Sequence, residues 1–255
     1  MRPDISEFSY GYAVTEAFVS GLAGNITAAP AFPSLLQEGR SGGGYDVRIE
    51  RNGIPTFFQF KLSDCMIRAT AYEAQEGLLT TPFYRVHLRP TRTSQQHRLL
   101  LALERLGNSV FYVAPMFHLR EELNQAYFAR TVLTQSIFVR PSDIGDLPDD
   151  GPHHIAFKQP GLWYLLSEPV RMEKPVDVES FSRTMQRDLR EKGREALTPS
   201  SLSRLTHAML SLLREGNWRW SVSLRDVEAF DDPLRTVAYL SRTFFGCELL
   251  IVREQ

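Results

Sequence analysis

The stretch "GGGYDVRIERNGIPTFFQFKLSD", Gly42–Asp64, decides how this chain is read. Two runs rich in β-branched and aromatic residues, 45–51 and 56–63, flank Asn52-Gly53, a dipeptide suited to a two-residue turn with both central residues at positive φ. With that turn, Val47 is expected opposite Phe58, Asp46 opposite Gln59 and Tyr45 opposite Phe60, at Cβ separations of about 4.5–5.5 Å. The two-residue period then sorts the faces. Tyr45, Val47, Ile49, Phe58, Phe60 and Leu62 form a wholly apolar one. Asp46, Arg48, Gln59 and Lys61 share the other with Phe57 and Ser63. Pro55 lacks an N–H and marks where a bulge would slip the register.

The polar face has a chemical use. A carboxylate and an amide oxygen a few ångströms apart are hard ligands suited to Mg²⁺ or Mn²⁺. Such an ion polarises a phosphoryl oxygen and acidifies a bound water. A lysine two residues along the same face can hold that water or offset charge growing on phosphorus. Asp46, Gln59 and Lys61 therefore point to metal-dependent cleavage of phosphodiesters. An ordinary hairpin with a solvated Asp46–Lys61 pair is the plain alternative.

These residues resemble the PD-(D/E)xK superfamily of restriction-endonuclease-like nucleases. Its motif is an acid on one strand and acid-x-lysine on the next, after a helix that often carries a glutamate. Here the matching positions are Asp46, Gln59-Phe60-Lys61 and Glu16, and the Gln-x-Lys form is most similar to the Mrr-like branch. Tyr45 stands where the superfamily commonly has proline, and the neutral Gln59 removes one negative charge. The resemblance spans about residues 6–118. It implies an α/β fold with an αβββαβ core on a central mixed sheet, and a Mg²⁺- or Mn²⁺-dependent nuclease, with DNA ahead of RNA as substrate. Asp46, Gln59 and Glu16 would bind the metal and Lys61 would assist the attacking water. Restriction or anti-phage defence follows by analogy alone. The alternative is a non-catalytic nuclease-fold module that binds nucleic acid or serves as a subunit of a larger complex.

Around this stretch, "EFSYGYAVTEAFVSGL" spaces its apolar residues as a helix capped by Ser6, with Gly24 near its stop. "FYRVHLRP" alternates as a strand, and "SQQHRLLLALERLG" reads as a helix ended by Gly107, followed by the strand "SVFYVAPMF". From Gly77 to Leu103 no acid occurs, while Arg85, Arg89, Arg92, Arg98, His87 and His97 do. Arg85, Arg89, Arg92, Arg98 and His97 are therefore the expected nucleic-acid contacts, although a solvated face explains the same charges. Beyond residue 170 three helical stretches and a last short strand, "CELLIVRE", predict a nuclease core over 1–170 and a helical C-terminal extension over 171–255 packed on it.

The remaining features mostly exclude. A net charge of −1 over 255 residues argues against an indiscriminate basic coat. Cys65 and Cys247 have neither disulfide nor metal spacing. No apolar run reaches the roughly 20 residues of a membrane span, and the N-terminus lacks the pattern of a signal peptide. A reduced, cytoplasmic protein that does not enter membranes is expected. Nuclease dimers are common by analogy, but no residue here requires one. Adjacent His153 and His154 are expected in a loop, and Trp218 and Trp220 in the core.

Overall fold

The computed structural model describes residues 1–20, 25–26, 53–159, 162–166, 170–172, 176–193, 195–215 and 232–253. They form a mixed α/β protein with two five-stranded sheets and eight α-helices. The first sheet contains β1 (Asn25–Ile26), β2 (Ile54–Phe60), β5 (Ser109–Pro115), β6 (Ser136–Val139) and β10 (Glu248–Arg253), in the spatial order β1-β10-β2-β5-β6. Only β2 and β5 run parallel in it, and the long crossover between them contains helix α3 (Gln96–Arg105). The second sheet is antiparallel throughout. Its order is β3 (Asp64–Met66), β4 (Phe83–Leu88), β7 (His153–Gln159), β8 (Leu162–Leu166) and β9 (Val170–Met172).

Strand β2, "IPTFFQF", is buried along its whole length, which explains why it reads as a continuous apolar run. Phe58 and Phe60 pack with Tyr10, Val14 and Phe18 of α1 (Glu7–Val19) and Phe181 of α6 (Val178–Lys192). Phe57, on the opposite face, joins a core built from Leu99, Leu100 and Leu103 of α3 and from Val86, Ile155, Phe157 and Trp163 of the second sheet. Met209 and Leu213 of α7 (Pro199–Glu215) and Val237 and Leu240 of α8 (Pro233–Leu240) close that core. Three short helices, α2 (Tyr72–Gln75), α4 (Arg120–Phe128) and α5 (Pro141–Ile144), complete the set.

Local signals act where expected. Ser6 caps α1 by accepting from the Ser9 N–H at 3.0 Å. Gly107 ends α3 at φ 88°, which suits a residue without Cβ. The β2–β10 register runs unbroken through Pro55, which opposes Ile251.

The main departure concerns the neighbours of β2. Phe58 lies between Glu248 of β10 and Phe111 of β5, so both flanks of this strand are occupied. The predicted partner run 45–51 falls outside the described residues. The expected opposition of Val47 to Phe58 is therefore replaced by a strand from the far end of the chain. An Asn-Gly turn is a local preference, whereas β10 brings the buried Leu250, Ile251 and Val252 against β2. The 171–255 stretch supplies β10, an inner strand of the first sheet, and the helices α6, α7 and α8, whose apolar residues join the two main cores.

Candidate functional site

The site lies where β2 ends. The Lys61 N–H donates to the Val113 carbonyl at 2.9 Å, which extends the β2–β5 ladder past Phe60 and fixes the side chain. Gln59 and Lys61 are two residues apart, so they share a side of the strand. Both are buried, Lys61 to 7% exposure.

Gln96, the first residue of α3, joins them. Lys61 Nζ donates to Gln96 Oε1 at 3.0 Å, and Gln96 Nε2 donates to Gln59 Oε1 at 2.6 Å. Gln59 Nε2 in turn donates to the Phe60 carbonyl at 2.9 Å. An ammonium only donates, so the orientation of the Gln96 amide follows from the network.

Among the described residues no carboxylate lies within ion-pair distance of Lys61. Burial therefore dominates its acidity and lowers its pKa from 10.5 to about 8; Glu7 opposes that shift and Arg89 adds to it.

A cleft opens beside the network, lined by Glu7, Gly11, Thr15, Gln59, Arg242 and Glu248 among others. Two glycines allow its walls to approach. A Cβ on Gly11 would sit 2.8 Å from the Phe60 ring, so α1 closes on β2 only through hydrogen there. Gly246, at φ +64°, follows the π-helical turn Ser241–Phe245, and a Cβ on it would lie 2.4 Å from Gln96 Nε2. Glu248 pairs with Arg242 at 3.5 Å, and burial, partly offset by Arg242, raises the Glu248 pKa.

The structure links Gln59 and Lys61 through Gln96 and separates the other described candidates. Asp46 lies outside the described residues. Glu16 accepts from Arg130 at 2.7 Å and from Ser20 at 2.5 Å, which holds its carboxyl below the usual range. Nine positions after Glu7, it points from the opposite side of the helix. The α1 acid beside Lys61 is therefore Glu7.

The expected nucleic-acid contacts divide similarly. Arg85 holds the fully buried Glu73 through both Nε, at 3.0 Å, and Nη2. His97 is fixed in the core between the Tyr112 hydroxyl at 3.0 Å and the Gly145 carbonyl at 2.7 Å. Burial lowers its pKa, against the Gly145 bond. Neither side chain is available to a phosphate. Arg89, Arg92 and Arg98 are exposed, and Arg98 donates to Gln95 at 2.9 Å.

Gln96 and Glu7 were missed, and helical phase identifies both. Gln96 shares the stripe of Leu99, Leu100 and Leu103, while Glu7 leads the row Gly11 and Thr15. Glu248 and Arg242 carry no comparable signal, because nothing local places the C-terminal segment beside β2.

A divalent ion fits this site in part. The Gln59 carbonyl oxygen has a second lone pair beyond the one taken by Gln96. Glu16 does not fit, being held by Arg130. Among the described residues no group of three or more histidine, cysteine or carboxylate side chains is placed to hold a metal. Among them, too, no helix is long and apolar enough to cross a membrane. Comparisons of the chain with models of protein families, with curated proteins and with solved structures found no match.

Proposed function

We propose that the chain is a phosphodiester hydrolase acting on nucleic acid, DNA ahead of RNA, with a restriction-endonuclease-like core. The observation that carries this reading is the buried Lys61, held by Gln96 two residues after Gln59 at the end of a central strand. The parallel β2–β5 pair with α3 in its crossover supports the last part of that core, whereas the strand "FYRVHL" lies in the second sheet.

An ammonium has three N–H donors, of which Gln96 uses one. The others can orient a water or a phosphoryl oxygen. With its pKa near 8, Lys61 can also accept a proton from water at mildly alkaline pH. Asp46 and Gln59 would hold Mg²⁺ or Mn²⁺, which supplies polarisation of the phosphoryl oxygen when bound. Glu7 replaces Glu16 as the α1 carboxylate of the site. Arg89, Arg92 and Arg98 contact the phosphate backbone.

A second reading, the non-catalytic module, rests on a different observation. Gln59, Gln96 and Lys61 are already bonded in a chain that ends on the Phe60 carbonyl, so each side chain has a structural partner without a ligand. One assay separates the two readings. Plasmid DNA and single-stranded RNA are incubated with purified protein and Mg²⁺ or Mn²⁺, alongside Lys61→Ala and Asp46→Ala. The nuclease reading expects cleavage by wild type and a loss of at least ~100-fold in both variants. No cleavage of either substrate, or equal cleavage by Lys61→Ala, overturns it. Retention of nucleic acid without cleavage supports the module.

A further inference from the structure

The second sheet carries a cluster that the Lys61 site does not use. Val86, Leu88, Ile155 and Phe157 fill the central core, so alternation places Arg85, His87 and His154 on the other face of β4 and β7. His153 and His154, expected in a loop, instead begin β7, and the register sets His154 directly opposite His87. The same register sets Asp64 opposite Arg85.

Each imidazole is tied to a carboxylate through the same ring nitrogen. His87 Nε2 lies 3.2 Å from Asp64 Oδ2, and His154 Nε2 lies 3.0 Å from Glu73 Oε1. Glu73 is fully buried and remains ionised, because the bonds from His154 and Arg85 outweigh its desolvation. An ionised carboxylate only accepts, so each Nε2 carries a proton, and in the neutral ring the lone pair then sits on Nδ1. No hydrogen bond among the described residues ends on either Nδ1. His87 is 57% exposed and His154 19%, so solvent reaches the pair.

We infer that His87 and His154 form a two-histidine site for a divalent transition cation such as Zn²⁺, Ni²⁺ or Cu²⁺, through their Nδ1 atoms. The carboxylate behind each ring is the outer partner that metal-bound histidines use to fix tautomer and orientation. Metal–nitrogen bonds of about 2.0–2.1 Å leave the ring centres of two histidines on one ion roughly 5–6 Å apart. Here the centroids are 5.8 Å apart. Imidazole nitrogen selects this class of ions over Mg²⁺ or Ca²⁺. Water fills the remaining positions, consistent with a set smaller than three protein ligands.

The test is titration of the full chain with Zn²⁺ by calorimetry without nucleic acid, together with Cu²⁺ electron paramagnetic resonance. One Zn²⁺ per chain and copper coupled to two nitrogens are expected. His87→Ala and His154→Ala should each weaken uptake at least ~10-fold, and Asp64→Asn should weaken it ~10-fold by releasing the His87 ring. His87→Gln and His154→Gln, with melting curves, guard against loss of fold. No Zn²⁺ uptake by wild type, or uptake unchanged in the double histidine variant, overturns the site. Lys61→Ala should bind Zn²⁺ as wild type does, so failure here and failure of the nuclease reading are separate results.

Discussion

The end of β2 buries an ammonium among amides, whereas the second sheet buries a carboxylate between a guanidinium and an imidazole. Lys61 has no counter-charge within ion-pair distance among the described residues, and its protonation equilibrium moves toward neutral pH. Glu73 accepts from the Arg85 guanidinium and the His154 imidazole, and these bonds bring its pKa from 4.5 to about 2, although burial alone would raise it. A compensated buried charge holds structure together, and its removal strands the partners. An uncompensated one is poised to exchange a proton or meet a ligand. The proposal for Lys61 rests on that difference.

The comparison can be broken most directly at Glu73. Glu73→Ala leaves Arg85 and His154 without their shared acceptor and should cost about 3–5 kcal/mol. Urea denaturation measures it, and a loss below ~1 kcal/mol would remove the contrast with Lys61.

The two charges also predict separate pH windows. For Glu73 the unfolded chain binds more protons between pH 4.5 and about 2, so stability of about 3 kcal/mol is lost as pH falls through that range. For Lys61 the folded pKa lies below the unfolded value of 10.5, so the unfolded chain again holds the extra proton between pH 8 and 10.5. Stability should therefore rise with pH in that upper window, by up to about 3 kcal/mol. Denaturation across pH in wild type and Lys61→Met isolates it, because the rise should vanish in the variant.

At pH 7 Lys61→Met should change stability by no more than ~1 kcal/mol, since the lost hydrogen bond is offset by relief of a desolvated charge. A loss as large as that of Glu73→Ala would show the lysine to be structural. The smallest effect belongs to Glu16→Gln, which touches an exposed pair with Arg130. Its melting temperature and cleavage rate should match wild type, whereas Glu7→Gln should slow cleavage.

The elements of the fold were largely legible in the sequence. The "FYRVHL" and "SVFYVAP" strands and the helix that starts at Gln96 stand where periodicity put them. Gln59 and Lys61 were legible as well, since a lone amide and a lone lysine interrupt an apolar run. The neighbour of β2 was not, because a strand's partner is chosen by burial and long-range competition that no local pattern encodes. Glu16 followed from the resemblance, which implies a glutamate on the first helix, and helical phase sets it on the side away from Glu7. His97 was expected to contact nucleic acid and is a core residue satisfied by Tyr112 and Gly145.

The placement of β10 has a consequence for biosynthesis. Phe58 and its neighbour Glu248 are about 190 residues apart in sequence. At the usual pace of translation that gap corresponds to roughly ten to forty seconds. During that interval the most aromatic strand of the nascent polypeptide has one open edge, the moment at which a chaperone or a second copy could pair with it.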